Sequence, residues 1–152
     1  SCQPTSKQII KYRQLHVMHE ALFGSKIAKG VGRFIFKAPF WENSVVAKAL
    51  LKTEVLSKHS LVGCESCGQC RLGDTLYICP ETCPKGLANG PCGGTTLDRC
   101  EFGDRECIHS VKARLAKAVK QTEILKEKLI PTVPLETRGT SSWKNWYLAT
   151  EA

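Results

Sequence analysis

The residues best equipped for chemistry are eight cysteines gathered between Cys64 and Cys107. They read Cys64-x2-Cys67-x2-Cys70-x8-Cys79-Pro80-x2-Cys83-Pro84-x7-Cys92-x7-Cys100-x6-Cys107, enough thiols for two four-ligand metal centres. Three cysteines at two-residue gaps let one loop wrap three irons of a cubane cluster, the fourth iron taking its ligand from elsewhere. Proline directly after Cys79 and Cys83 suits the same chemistry, since bacterial ferredoxins also place proline after the cysteine that closes a cluster. Zinc is the competing metal, because four thiolates suit it well. Structural zinc sites are usually built from two C-x2-C knuckles, whereas here the short gaps form one triplet and the other gaps are long. The spacing therefore favours one or two 4Fe–4S clusters and leaves zinc open at one site. It does not say which cysteines share a centre.

The remaining reactive side chains carry weaker signals. Cys2 stands far from the block and reads as a free thiol. His16 and His19 form an H-x2-H pair with no cysteine near them, so a helical surface or packing role is expected. His109, two residues after Cys107, is expected to be solvated, with a hydrogen bond near the metal as the alternative. No G-x-G-x-x-G, Walker loop, G-x-S-x-G or convincing acid pair is present. Substrate redox chemistry would need a flavin or nicotinamide site, which a partner must supply. No catalytic site of its own is expected.

The elements that must position these cysteines fall into three zones of one compact unit, as the length suggests. Residues 1–62 form a basic, largely helical leader, 63–107 the cysteine-rich metal-binding core, and 108–152 a long helix with an aromatic docking tail. In the leader, Ile9, Ile10, Tyr12, Leu15, Val17, Met18 and Leu22 predict a helix stopped near Gly24. An aromatic segment around Phe34, Phe36, Phe40 and Trp41 follows. Asn43 or Ser44 is placed to cap a helix carrying Val46, Leu50, Leu51, Val55 and Leu56 and ending near His59 or Ser60. Ile108, Val111, Leu115, Val119, Thr122, Leu125 and Leu129 recur at helical spacing up to Pro131, which predicts one helix from about Arg105 to Ile130 with Asp104 as its cap and Cys107 in its first turn. Trp143, Trp146 and Tyr147 are expected to dock, either on that long helix or on a partner. The fold class is mainly α, with an irregular metal-stabilised cysteine-rich core and little or no β-sheet.

A formal charge of +8 invites a nucleic-acid reading. Metal-bound thiolates would offset much of that charge, and the Lys and Arg residues are spread over both flanks with few aromatics between them. No nucleic-acid partner is expected. The apolar runs are interrupted by charges well short of the ~20 residues of a membrane span. Ser1 to Ile10 shows no secretory pattern, so the expected setting is cytoplasmic, where dense cysteines bind metal rather than form disulfides.

The strings Gly63-Cys64-Glu65-Ser66-Cys67-Gly68-Gln69-Cys70, Ile78-Cys79-Pro80, Cys83-Pro84-Lys85, Asn89-Gly90-Pro91-Cys92-Gly93-Gly94, Cys100-Glu101 and Cys107-Ile108 resemble the C-terminal cysteine-rich domain of methylenetetrahydrofolate reductase, in particular its stand-alone MetV-type small subunits. The resemblance extends to Ser141-Ser142-Trp143. It implies a small iron–sulfur subunit that passes electrons to the flavin of a MetF-type catalytic subunit, in the methyl branch of one-carbon metabolism (the Wood–Ljungdahl pathway). The flavin lies on the partner only. A further electron-input protein is implied, whether ferredoxin, a nicotinamide-linked module or a heterodisulfide-reductase-like module. A zinc-bound adaptor subunit of the same complex, without redox role, is the alternative.

Overall fold

Asn43 starts the longest helix by a local device: its side chain accepts a hydrogen bond from Val45 N at 3.0 Å, satisfying a donor that the first turn leaves open. The helix runs over Ser44–Val62 and stops where Gly63 adopts φ 67°, its N–H closing on the carbonyl of His59. The computed structural model describes residues 4–90 and 92–149, so the expected free thiol of Cys2 lies outside the described residues. In chain order the helices are α1 (Ser6–His19), α2 (Lys26–Phe36), α3 (Ser44–Val62), α4 (Ile108–Ala118), α5 (Ile124–Glu127) and α6 (Ser142–Ala149), with short 3-10 turns between them. A π turn over Glu20–Gly24 ends the first helical stretch at the expected glycine. Among the described residues the only extended pairing is in isolated bridges, Thr96 with Arg99 and Arg99 with Glu106. The protein is mainly α, as its pattern predicts.

The chain packs as two units, one formed by Ser1–His16 with Arg71–Thr132, the other by Val17–Cys70 with Val133–Ala152. One expectation about the elements gives way. The helix expected from Arg105 to Ile130 is broken: α4 ends at Ala118, Lys120 turns to φ 57°, and Gln121 N closes back on the carbonyl of Ala116 at 2.9 Å. Partners distant in sequence hold the break open. Tyr12 donates its hydroxyl to the side chain of Gln121 at 3.0 Å, and Asn89 binds both the N–H and the carbonyl of Ile130, at 2.7 and 3.0 Å. Arg71, buried, donates to the carbonyl of Pro131 at 2.6 Å while pairing with Glu81. Periodicity along the segment carries no trace of these partners.

The first unit packs Tyr12 and Leu15 of α1 with Leu76 and Tyr77, Leu115 and Ala116 of α4, and Ile130 as its buried apolar residues. His16 stacks on Tyr12 at 5.7 Å and meets the hydroxyl of Tyr77 at 3.1 Å, the packing role expected of it. In the second unit the aromatic tail packs on the leader rather than on the long helix. Tyr147 stacks between Phe23 and Phe36 at 5.6 and 5.5 Å and donates to the carbonyl of Leu22, while Trp146 meets Phe23 edge-on at 5.0 Å. The remaining fixed point of this unit is ionic. Glu54 of α3, 3% exposed, accepts hydrogen bonds from Lys58 at 2.6 Å, Ser141 at 2.6 Å and Ser142. Lys58 also donates to Ser142 at 2.7 Å and lies over the ring of Trp143 at 5.1 Å.

Candidate metal centre

Cys64 follows directly from the glycine that ends α3, so the helix delivers the triplet Cys64, Cys67 and Cys70 at its C-terminus. The loop coils tightly because Ser66 and Gly68 both take left-handed backbone conformations, φ 52° and 77°. Only glycine fits the second of these positions: a Cβ there would run into the carbonyl of Thr137. Three hydrogen bonds from the tail hold the coil. Gly139 N donates to Ser66 O at 2.8 Å, Thr137 Oγ1 to Cys67 O at 2.9 Å, and Asn145 Nδ2 to Gly68 O at 2.8 Å. Cys67 is buried and its thiol donates to Gln69 O at 3.3 Å. Burial pushes the Cys64 thiol up, against the Ser66 amide and the Lys58 ammonium, which favour the thiolate. Neighbouring Cys67 and Cys70 add to the rise, as thiols crowded on one loop must.

The other five cysteines belong to the first unit. Cys79 is buried, and a short turn over Pro80–Thr82, begun by Pro80, separates it from Cys83. Thr95 joins two of the set: its hydroxyl donates to Cys107 Sγ at 3.3 Å and lies 3.7 Å from Cys92 Sγ. That hydroxyl, followed by the Gly94 amide, lowers the Cys92 thiol. For Cys107 burial opposes the thiolate, yet Thr95 and the amides of Ser110 and His109 outweigh it and the thiol is lowered. Lys85 lies within electrostatic reach of Cys92 and Cys100, and Arg105 within reach of Cys100 and Cys83. Donors thus gather at Cys92 and Cys107 and cationic side chains near Cys83, Cys92 and Cys100; for Cys92 and Cys107 this is the setting in which thiolates become metal ligands.

Cys107 itself, not Asp104, occupies the N-cap of α4; Asp104 pairs with Arg105. His109 is buried rather than solvated, with Nε2 3.1 Å from the carbonyl of Leu87 and burial as the main cause of its lowered pKa. Sequence reasoning missed Thr95, Thr137, Gly139, Asn145 and Glu54, and it reads Lys58, with Lys48 and Lys52, as part of a solvated helix face, whereas Lys58 is paired with buried Glu54. Thr95 was within reach, three residues beyond Cys92 in a Cys-Gly-Gly-Thr string; the tail residues meet the triplet across about seventy positions and leave no local signal.

A group of three His, Cys, Asp or Glu side chains already arranged around a metal position does not occur among the described residues. The donor set nonetheless fits a soft metal in type: all eight are thiols, and those of Cys92 and Cys107 are lowered. A protein-family model described as "Methylene-tetrahydrofolate reductase C terminal" matches residues 44–135. The chain belongs to this family. The methylene-tetrahydrofolate reductase C-terminal match takes in α3 and all eight cysteines and leaves α2 and α6 outside it. Neither the comparison with curated proteins nor that with solved structures found a match.

Proposed function

We propose that the chain is a non-catalytic, metal-carrying component of a methylenetetrahydrofolate reductase complex, akin to the MetV-type small subunit, and that it passes electrons to the flavin of a MetF-type catalytic subunit. The observation that carries this reading is the cysteine triplet, with five further cysteines beside it, in a chain of the reductase's C-terminal family. Cys64, Cys67 and Cys70 would hold one centre. Cys83, Cys92, Cys100 and Cys107 are linked in pairs, Cys92 with Cys107 through Thr95, Cys92 with Cys100 through Lys85 and Cys83 with Cys100 through Arg105, and would supply four thiolates to another. Iron–sulfur clusters held there supply one-electron transfer. The chain's own residues wrap the ligand loops, donate hydrogen bonds towards sulfur and set the surrounding charge, the means by which a protein tunes such a centre.

Anaerobic purification followed by iron, sulfide and zinc analysis, with an electron paramagnetic resonance spectrum after dithionite, tests the proposal. Iron and acid-labile sulfide in near-equal amounts and a reduced-cluster signal are expected. Zinc alone, with a silent spectrum, would replace the relay by a zinc-bound adaptor.

A further inference from the structure

A groove of about 280 Å³ opens in the second unit, lined by Trp41, by the first half of α3 and by the turn that leads into α6. Trp41, Leu50 and Leu51 give it apolar surface, and Lys48 and Lys144 bring two ammonium groups to it. No acidic residue lines it, and neither ammonium has a carboxylate partner among the described residues. The indole of Trp41 is held in place by its N–H, which donates to Ile35 O at 2.8 Å. Such a surface is unfinished: apolar area remains in water beside two unpaired charges of one sign. An occupant that completes it must bring apolar side chains and carboxylates together. The volume lies below the roughly 300–1,000 Å³ that encloses a free drug-sized ligand, which suits a few side chains of a larger molecule. A fixed tryptophan beside complementary charge is also the common anchor of a protein interface.

The groove's position adds a second observation. Asn145, which lines it, donates to Gly68 O, and Gly139, which also lines it, donates to Ser66 O. A molecule seated there is therefore one hydrogen bond removed from the loop that carries Cys64, Cys67 and Cys70. We infer that this groove is the docking slot for an acidic segment with an apolar anchor on the catalytic subunit of the reductase, bringing that subunit against the triplet. The identity of the partner rests on the proposed function; the location and chemistry of the slot do not.

The test is calorimetric titration of the purified, metal-loaded chain with the purified flavin-bearing subunit at about 50 and about 300 mM NaCl. Combined Lys48→Glu and Lys144→Glu is expected to weaken binding about tenfold or more at the lower salt and to remove most of its salt dependence. The Lys48→Arg, Lys144→Arg pair should keep wild-type affinity, and Trp41→Ala should weaken binding about tenfold with its helix content unchanged. Lys7→Glu with Lys11→Glu, the same charge change on α1, should alter affinity by less than about twofold. Wild-type affinity in the Lys48/Lys144 reversal, an equal loss in the α1 control, or no binding by the wild-type chain overturns the assignment. So does free benzoate that fills the groove without competing against the flavoprotein, which would make it a small-anion site. Iron and sulfide measured on the same samples keep the two readings apart, because a metal-free chain would end the relay while leaving the location of the docking slot decided by affinity.

Discussion

Substituting Glu54 by Gln should unfold the second unit more easily by an amount that the geometry allows to be worked out. The carboxylate accepts from Lys58, Ser141 and Ser142, and its side chain is 4% exposed against 12% for Lys58. Gln keeps the shape but presents an amide N–H₂ where one oxygen accepted, and it leaves the Lys58 ammonium without a counter-charge. Removing one member of a buried pair costs about 3–5 kcal/mol; the partial exposure of Lys58 puts the expected loss near the lower end, about 3 kcal/mol. Lys58→Met alone should cost a similar amount, and the two together distinctly less than their sum, with a coupling of about 2 kcal/mol. All three tryptophans, Trp41, Trp143 and Trp146, lie in this unit, so urea unfolding followed by tryptophan fluorescence reads it directly. The pH dependence supplies a second check. Burial opposes the Glu54 carboxylate, but Lys58 and the two serines outweigh it and hold its pKa below the ordinary value of 4.5. A depressed acid contributes stability that is whole above its unfolded pKa and is lost as pH falls through the folded one. The wild-type chain should therefore lose stability below about pH 4.5 more steeply than Glu54→Gln, since the amide cannot titrate. A Gln variant within about 0.5 kcal/mol of wild type, with additive single and double changes, would refute the argument.

Other perturbations separate local from long-range determinants. Asn43→Ala removes the acceptor for Val45 N and should lower the stability of the second unit by about 1 kcal/mol in the same unfolding assay. Gly68→Ala forces a Cβ against the carbonyl of Thr137 at φ 77°; a loss of more than about 1–2 kcal/mol and poorer metal retention by the triplet are expected from unfolding curves and iron analysis. Thr137→Val, which deletes the donor to Cys67 O, should cost about 1 kcal/mol by the same measurements. With two iron–sulfur centres, Cys67→Ser and Cys92→Ser should each lower iron content by about half, and the residual spectra should differ; either change emptying both centres would contradict the division of ligands proposed for the two units.

Legibility in the sequence followed the range of the interactions involved. Asn43 announces the start of α3 because a cap is a contact between near neighbours, whereas the helix runs past its expected end near His59 or Ser60 to Val62, where the left-handed Gly63 stops it. The end of α4 was invisible for the opposite reason. Val119, Leu125 and Leu129 continue its apolar period, no glycine marks the break at Lys120, and the partners that hold the chain out of helix beyond it, Tyr12, Arg71 and Asn89, lie elsewhere in the sequence. The candidate site divides in the same way. Its eight thiols were legible as types and spacings, whereas the burial of His109 against Leu87 and the grip of Thr137 and Asn145 on the triplet are tertiary facts.

That grip bears on how the triplet is prepared for a metal. A left-handed residue other than glycine costs roughly 1–2 kcal/mol, and Ser66 adopts such a conformation next to Gly68. The loop would not hold this coil by itself. Each of the three hydrogen bonds from Thr137, Gly139 and Asn145 contributes about 1 kcal/mol net, enough together to offset the strain. The residues that supply them lie beyond position 135, where the family match ends. In this chain the conformation of a motif inside the matched stretch is therefore imposed from outside it. The same turn from Gly139 to Ser141 leads into α6; Ser141 of the turn and Ser142 of α6 bind Glu54, and Lys144 and Asn145 of α6 line the groove. The tail thus contributes to three things from one short stretch of chain: the coil of the triplet, the buried ion pair on α3, and the lining of the groove.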